Sequence, residues 1–388
     1  MDFTPNEEHE MIRDSVRKIC SDFNDDYWAK CDSEHKFPWE FHKALAAGGW
    51  AGVAIPEEYG GAGLGVTEAA IVLEEVAASG AAINGCTVVH GGIFGMEPVV
   101  RFGSEEMKQR ILPKVAAGEM HIAFGITEPN AGVDTSKIIT RAKREGDHYI
   151  VNGAKVWTSK ALESDKVLLL VRTKPPEECR NKMDGMTLLL ADLQVPEVTI
   201  TPIPKGGRNA VASCETVYDN LKVSVSDVVG KENEGFKCLI PGLNSERILV
   251  AAESVGTGRA ALNIAVEYAK SRIVFDRPIG KNQAIAHPLA KAYAQLKVAS
   301  LAIQEACWRI DNNLSCGEEA NIAKYLGAEA GFFAADRAMQ TLGGYGMAEE
   351  FNVVRYWREV RIAQLGPVPQ EMILNYLSEH VLGLPRSY

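Results

Sequence analysis

The stretch HYIVNGAKVWTS (148–159), followed by KVLLLVRT (166–173) and MTLLLADL (186–193), decides the fold of this chain. Short runs of β-branched and leucine residues bounded by turn formers predict strands, and Asn152-Gly153 inside the first run reads as a hairpin turn. HIAFGIT (121–127), VTITPIP (198–204) and ETVYDNLKVS (215–224) extend the same texture. Residues 121–232 are therefore expected to form a small all-β domain, a barrel or sandwich. On both sides the texture is helical. Toward the N-terminus, Thr4 with Glu7 and Glu8 gives a capping signal, and VTEAAIVLEEVAASGAAI (66–83) has the apolar spacing of one helix. Toward the C-terminus, EYAKSRIVF (267–275), PLAKAYAQLKVASLAIQEACWRI (288–310) and EANIAKYLGAEAGFFAADRAMQTLGG (319–344) are Ala-rich and amphipathic, as in a helical bundle. The expected class is α+β: an N-terminal helical domain over 1–120, the β domain over 121–232 and a C-terminal four-helix bundle over 233–388.

Composition narrows the partners. A net charge of −10 over 388 residues, with no Lys/Arg cluster, argues against nucleic acid or an anionic membrane, both of which need a basic patch. No apolar run reaches the roughly 20 residues of a spanning helix. The N-terminus MDFTPNEEHEMIRDS is acidic, without an apolar signal core or an Arg-rich presequence. The eight cysteines form no CxxC pair and share no spacing with a His-x-x-x-His, so neither a zinc site nor a redox motif is expected. A cytoplasmic protein acting on a small molecule, with reduced thiols and no metal, fits these features. GGAGLG (60–65) lacks the third glycine of a dinucleotide fingerprint, which excludes a Rossmann site there.

Four ordered segments carry a family resemblance. FGITEPNAGVD (124–134), KVWTSK (155–160), SRIVFDRPIGKNQAI (271–285) and QTLGGYG (340–346) resemble the flavin-binding segments of the acyl-CoA dehydrogenases, and the likeness spans essentially the whole chain. Arg272 and Gln283 stand 11 residues apart and Gln340 follows 57 later, the layout of short members of that family. The resemblance implies FAD as cofactor. A flavin ring needs hydrogen-bond donors at its edge and a flat wall to lie against. By resemblance, the main chain of Phe124, Ile126 and Thr127 with the Thr127 hydroxyl serves the pyrimidine side. Trp157 covers the ring edge, with Thr158 beside it. Ser159 stands where the family usually has Thr and donates toward N5. Gly132 and Val133 belong to the same cofactor segment, Val133 replacing the usual Ser, which in relatives touches the FAD pyrophosphate or the substrate, so that this side-chain hydrogen bond is not available and backbone donors are left to serve. Arg272, Phe275, Gln283, Gln340, Thr341, Gly343 and Gly344 resemble residues that reach the FAD of a neighbouring subunit: a guanidinium suits a pyrophosphate, and paired glycines admit close backbone approach. A homo-oligomer follows from that sharing, a tetramer being usual among relatives.

The same resemblance locates a base. Desaturation of a thioester at Cα and Cβ needs a carboxylate at the α-proton while the flavin accepts the β-hydride. By resemblance, a ribityl hydroxyl and a main-chain N–H polarise the thioester carbonyl. Most members carry the base near the C-terminus, in a segment matched here by LGPVPQE (365–371), where Pro367 occupies the position and cannot act. A minority, the isovaleryl and long-chain types among them, carry it one helix earlier, and SERILVA (245–251) matches that segment. Glu246 is the expected base. Asn244 and Arg247 resemble residues lining the pantetheine and thioester; Glu371, one helical turn beyond the position of Pro367, is the fallback base and resembles an FAD adenine contact. Alone, Glu246 also reads as a first-turn acid with Asn244 as its N-cap, favoured by the helix dipole.

The expected reaction is acyl-CoA to trans-2-enoyl-CoA, with electrons passing to an electron-transferring flavoprotein. Three alternatives stay open: an enoyl-CoA reductase running the reaction in reverse, as in the crotonobetainyl-CoA reductases; a flavin monooxygenase or nitroalkane-type oxidase on the same fold, against which Glu246 argues; and an interaction protein that has kept the fold and lost the chemistry. The acyl group itself is not legible, because discrimination of one methylene is worth only about 1–3 kcal/mol.

Overall fold

The computed structural model describes residues 6–387. Thr4 therefore lies outside the described residues, and the first helix, α1 (Glu7–Cys20), is capped by Asn6, whose side chain accepts from the amides of Glu8 and His9. The N-terminal part continues with α2 (Asp25–Glu34), α3 (Trp39–Ala47), α4 (Val66–Val76), α5 (Ala82–Ile93), α6 (Glu97–Phe102) and α7 (Glu105–Ala116). The single helix expected over 66–83 is broken: a wide turn at Ala77–Ala81 contains Gly80 at φ 100°. An L-residue would be strained there, and a Cβ on Gly80 would meet the Asp25 carboxylate at 2.5 Å. Arg355 secures the break by donating to the Gly80 carbonyl at 2.8 Å. The consequence is a new direction for α5.

The middle part is one eight-stranded sheet. Its strands are β1 (Ile122–Gly125), β2 (Arg141–Glu145), β3 (His148–Ser159), β4 (Lys166–Arg172), β5 (Met186–Asp192), β6 (Val198–Pro202), β7 (Ser213–Ser224) and β8 (Val228–Val229). The order is β6-β7-β3-β2-β4-β5-β8, with β1 parallel to β4. The central strands are buried on both faces, which explains their near-continuous apolar runs. Val167, Leu169 and Val171 pack inward on Tyr149, Leu189 and Tyr218, while Leu168, Leu170, Leu188 and Leu190 pack outward on Met96, Met107, Ile111 and Leu239. Asn152-Gly153 is not the hairpin turn expected of it. Both residues stay inside β3 at a register shift against β7, and the turn falls at Gly146-Asp147. Gly153 answers to space instead, because a Cβ there would sit 2.6 Å from the Thr140 backbone.

The C-terminal part is built on α8 (Gly235–Ser271), α9 (Gln283–Asp311) and α10 (Gly317–Leu342), closed by α11 (Val353–Val360), α12 (Ile362–Leu365) and α13 (Gln370–Tyr376). α8 ends at Ser271, so RIVF of the expected helical stretch 267–275 turns instead into a small hairpin, β9 (Ile273–Val274) with β10 (Arg277–Pro278). Small residues let α8 and α10 nearly touch. A Cβ on Gly331 would meet the Ser254 carbonyl oxygen at 2.3 Å, and one on Gly327 would meet Ala251 at 2.8 Å. Because α8 begins at Gly235, Asn244 and Glu246 lie in its interior. Asn244 is thus not an N-cap, and the helix-dipole account of Glu246 falls, since that effect fades beyond the first turn.

Candidate active site

Glu246 lies where the three parts of the chain meet. It is 8% exposed on α8, and its Oε2 is bonded to Nε2 of His90 on α5. The other ring nitrogen of His90 is 2.5 Å from Glu253 Oε1. Glu246 and Glu253 are seven residues apart on α8, two turns, and so share a face. Burial alone would push the His90 imidazole down; the two carboxylates outweigh it and lift it to about 10. Glu246 Oε1 has no hydrogen-bond partner among the described residues, which leaves that oxygen available.

An aromatic line leads from this cluster to β1. The His90 ring packs on Phe94 at 4.8 Å between centroids, and Phe94 on Phe124 at 5.3 Å. The loop after Phe124 is pinned from below. The fully buried Lys155 donates to the Ile126 carbonyl at 3.0 Å and to Glu128 at 2.8 Å, and Glu128 also accepts from the amides of Ile139 and Thr140. Burial lowers the Lys155 ammonium to about 8 even beside Glu128. The Thr127 carbonyl accepts from Val156, which ties this loop to β3.

On β3, Trp157 is 55% exposed and holds φ 62°. A bulky residue in that region costs about 1–3 kcal/mol and is found mainly at functional sites. Ser159 accepts from Arg208 Nη2 at 2.8 Å, so its own hydrogen remains free to donate elsewhere. Thr158 differs from its neighbours: its side chain is fully buried against Thr216 inside the sheet, and only its main chain can serve a cofactor. Gly132 has open space at its missing Cβ, and Val133 is 61% exposed.

A second cluster is remote from the first. Arg272, Thr341, Gly343 and Gly344 line an open cleft of about 680 Å³ together with Tyr268, Ile279 and Tyr345. Gly343 and Gly344 have nothing within 4 Å of their missing side chains. Gln283 begins α9 next to Asn282, a lining residue, and Gln340 precedes Thr341. Phe275 tips the β9–β10 hairpin, 92% exposed at φ 51°. Glu246 and Arg272 are 26 residues apart on α8 and its C-cap, about 39 Å at 1.5 Å per residue.

Near Glu246 on α8, Arg247 donates to the Leu243 carbonyl at 3.1 Å and to Asn244 Oδ1 at 2.9 Å, and burial lowers its guanidinium. Pro367 stands in the loop before α13, where the buried Lys324 donates to the Val368 carbonyl at 2.6 Å. Glu371 is exposed in the first turn of α13. The sequence reading did not single out His90, Glu253, Arg208 or Lys155. A signal existed for Glu253 alone, a carboxylate two turns after Glu246 inside an apolar run.

Models of the acyl-CoA dehydrogenase N-terminal, middle and C-terminal domains match residues 6–119, 123–221 and 233–382. Acyl-CoA dehydrogenase FadE12 of Mycobacterium tuberculosis is 36% identical over 388 residues, covering 100% of this chain and 99% of that protein. A 3-(aryl)acrylate reductase of Clostridium sporogenes is 34% identical over 357 residues, 92% of this chain and 93% of that one. Among solved structures, a glutaryl-coenzyme A dehydrogenase in complex with glutaryl-CoA superposes with a TM-score of 0.93 at 28% identity, covering 100% of this chain and 98% of that one.

Proposed function

This chain belongs to the acyl-CoA dehydrogenase family, and from that premise we propose that it is an FAD-dependent oxidoreductase acting at Cα–Cβ of an acyl-CoA thioester, with Glu246 as base. One observation carries the assignment: Glu246 is a buried carboxylate with one oxygen tied and one unengaged, joined through His90 and Phe94 to the β1 loop, while Pro367 offers no proton acceptor.

The residues fit a flavin dinucleotide. The 680 Å³ cleft has a cationic Arg272 and two glycines facing open space, and Trp157 offers an exposed plane beside the Ser159 hydroxyl. FAD, when bound, supplies the hydride acceptor. Trp157 and the main chain of Phe124–Thr127 would hold its ring, and Ser159 would donate to the ring edge. Glu246 takes the Cα proton on Oε1, while its bond to His90 keeps the carboxylate aimed. Phe94 and Phe124 keep water from this path, so the carboxylate meets the substrate rather than solvent. Arg247 and Asn244 bind the thioester end. The product is a trans-2-enoyl-CoA, and an electron-transferring flavoprotein receives the electrons.

The second cluster belongs to a neighbour's cofactor in this reading. About 39 Å along one helix exceeds what a single flavin dinucleotide bridges, which supports a homo-oligomer in which each copy completes another's site; a tetramer is the form proposed.

Anaerobic titration of the FAD-loaded protein with straight, branched and cyclic acyl-CoAs tests the assignment. Bleaching of the flavin by one class, abolished in Glu246→Gln with FAD and ligand binding retained, is expected. Bleaching of Glu246→Gln at the parental rate would overturn the base. The 34%-identical reductase supports a second reading, the reverse direction with Glu246 as acid. A flavin potential with ligand bound that lies well below the enoyl/acyl couple would favour it.

A further inference from the structure

The unassigned charges closest to the reaction are those of His90 and Glu253. Each of the two contacts on the His90 ring joins a nitrogen to a carboxylate oxygen, and each needs a proton between them. A neutral imidazole has one N–H and would turn a lone pair on one carboxylate. A ring with both N–H groups satisfies both contacts, and the three groups then carry a net charge of −1.

We propose that His90 is a positioning residue for Glu246 and that Glu253 is its charge counterweight: His90 ties and aims Glu246, and Glu253 cancels the cation so that the base keeps its demand for a proton. The inference rests on Glu246 being the base. Proton transfer breaks the Cα–H bond and forms an O–H bond at Glu246 Oε1, and His90 keeps both its protons. The buried cluster goes from −1 to 0, which low-dielectric surroundings favour. Without Glu253 the same step would go from 0 to +1, a buried charge created rather than removed. A histidine cation alone would align the base and weaken it at once; the second carboxylate separates the two effects.

The surroundings add charges that are the same with and without Glu253, so they do not alter the difference that its carboxylate makes. The other charged or titratable groups facing the cluster include the Arg208 guanidinium from the loop before β7, the Arg247 guanidinium on α8, the Glu359 carboxylate from α11 and the Cys86 thiol on α5. Glu359 is already held by the Asn84 amide and by Arg355, and Arg208 by Ser159 and Ser213. Lys160 reaches α5 by donating to the Val88 carbonyl. None of these forms a hydrogen bond to His90.

The test uses FAD-loaded protein and the acyl-CoA that bleaches it fastest, with flavin reduction followed by stopped flow. Glu253→Gln should slow reduction on the order of 30-fold, the weight of one uncompensated contact charge, with FAD content unchanged. Its rate should then recover as pH rises from 7 to 9, because losing one carboxylate makes His90 deprotonate earlier, whereas the parent stays flat. The double variant His90→Gln/Glu253→Gln should be faster at pH 7 than Glu253→Gln alone, a rescue that lost packing would not produce. Should Glu253→Gln not load FAD, Glu253→Met carries the same expectation. Equal rates for single and double variants, with no recovery at high pH, would overturn the counterweight. Parental bleaching of Glu246→Gln would instead remove the base itself, so the two failures are distinguishable.

Discussion

The cluster around Glu246, in the interior of α8, and the cleft around Arg272, at its C-terminus, are built on opposite logic. At the first, Glu246, His90 and Glu253 are buried and partner one another within the chain. At the second, Arg272 is exposed, Gly343 and Gly344 face empty space, and Phe275 stands almost wholly in solvent. A cluster whose partners all come from one chain is assembled without a second copy. An open cleft with a guanidinium that has no ion-pair partner among the described residues, and with a solvent-facing phenyl ring, is half of something, since burying apolar surface and pairing a cation both favour a second body against it.

The largest effect expected falls on the closed cluster. Glu246→Gln should lower the rate of flavin reduction by on the order of 10²–10⁴, the range for loss of a general base, measured by stopped flow with FAD occupancy checked from its absorbance. At the open cleft, Arg272→Ala should leave the rate of the loaded enzyme near parental and weaken FAD retention on the order of 10- to 100-fold, the loss of one charge-assisted contact, read by titrating apoprotein with FAD. A variant at either end that produced the other end's phenotype would erase the distinction.

How far these two ends were legible differs for a physical reason. The fold showed through because a run such as KVLLLVR, too short for a helix and bounded by turn formers, reads as a strand buried on both faces. Where short-range signals misled, a tertiary contact had overruled them. Asn152-Gly153 carries a turn signature, yet Gly153 is required by its approach to Thr140. The run 66–83 is periodic, yet Gly80 breaks it because Asp25 and Tyr356 leave no room for a side chain. Asn244 reads as an N-cap by its residue type, while α8 already runs from Gly235 through Pro241 and Gly242. Glu246 was singled out through the motif around it. His90 was not, because a lone histidine in VVHGGIF has no partner within its own segment, and its meaning comes from residues 156 and 163 positions away.

A smaller effect concerns the rod that joins the two ends. Gly331→Val would thrust two methyl groups toward the Ser254 carbonyl and should destabilise the bundle by about 1–3 kcal/mol, seen as a lower thermal midpoint. The closed cluster has its own pH signature. His90 titrates near 10 in the folded chain against an ordinary 6.5, so its stabilisation is complete below about 6.5 and is lost as pH rises through about 10. The melting temperature should fall across pH 7 to 10, and His90→Gln/Glu253→Gln should flatten that part of the slope. Smallest, and far from both ends, Asn6→Ala should cost about 1 kcal/mol by uncapping α1, without changing flavin reduction.

The length of α8 reaches beyond geometry. In the proposed reading, a single helix that presents the base in its interior and, at its C-terminus, a guanidinium for a neighbour's FAD makes holoenzyme integrity obey mass action. Diluting the protein would loosen the assembly, the loosened assembly would shed FAD, and shed FAD would loosen it further. Specific activity should therefore fall with dilution and return on addition of free FAD, making protein concentration as much a determinant of turnover as the concentration of the thioester.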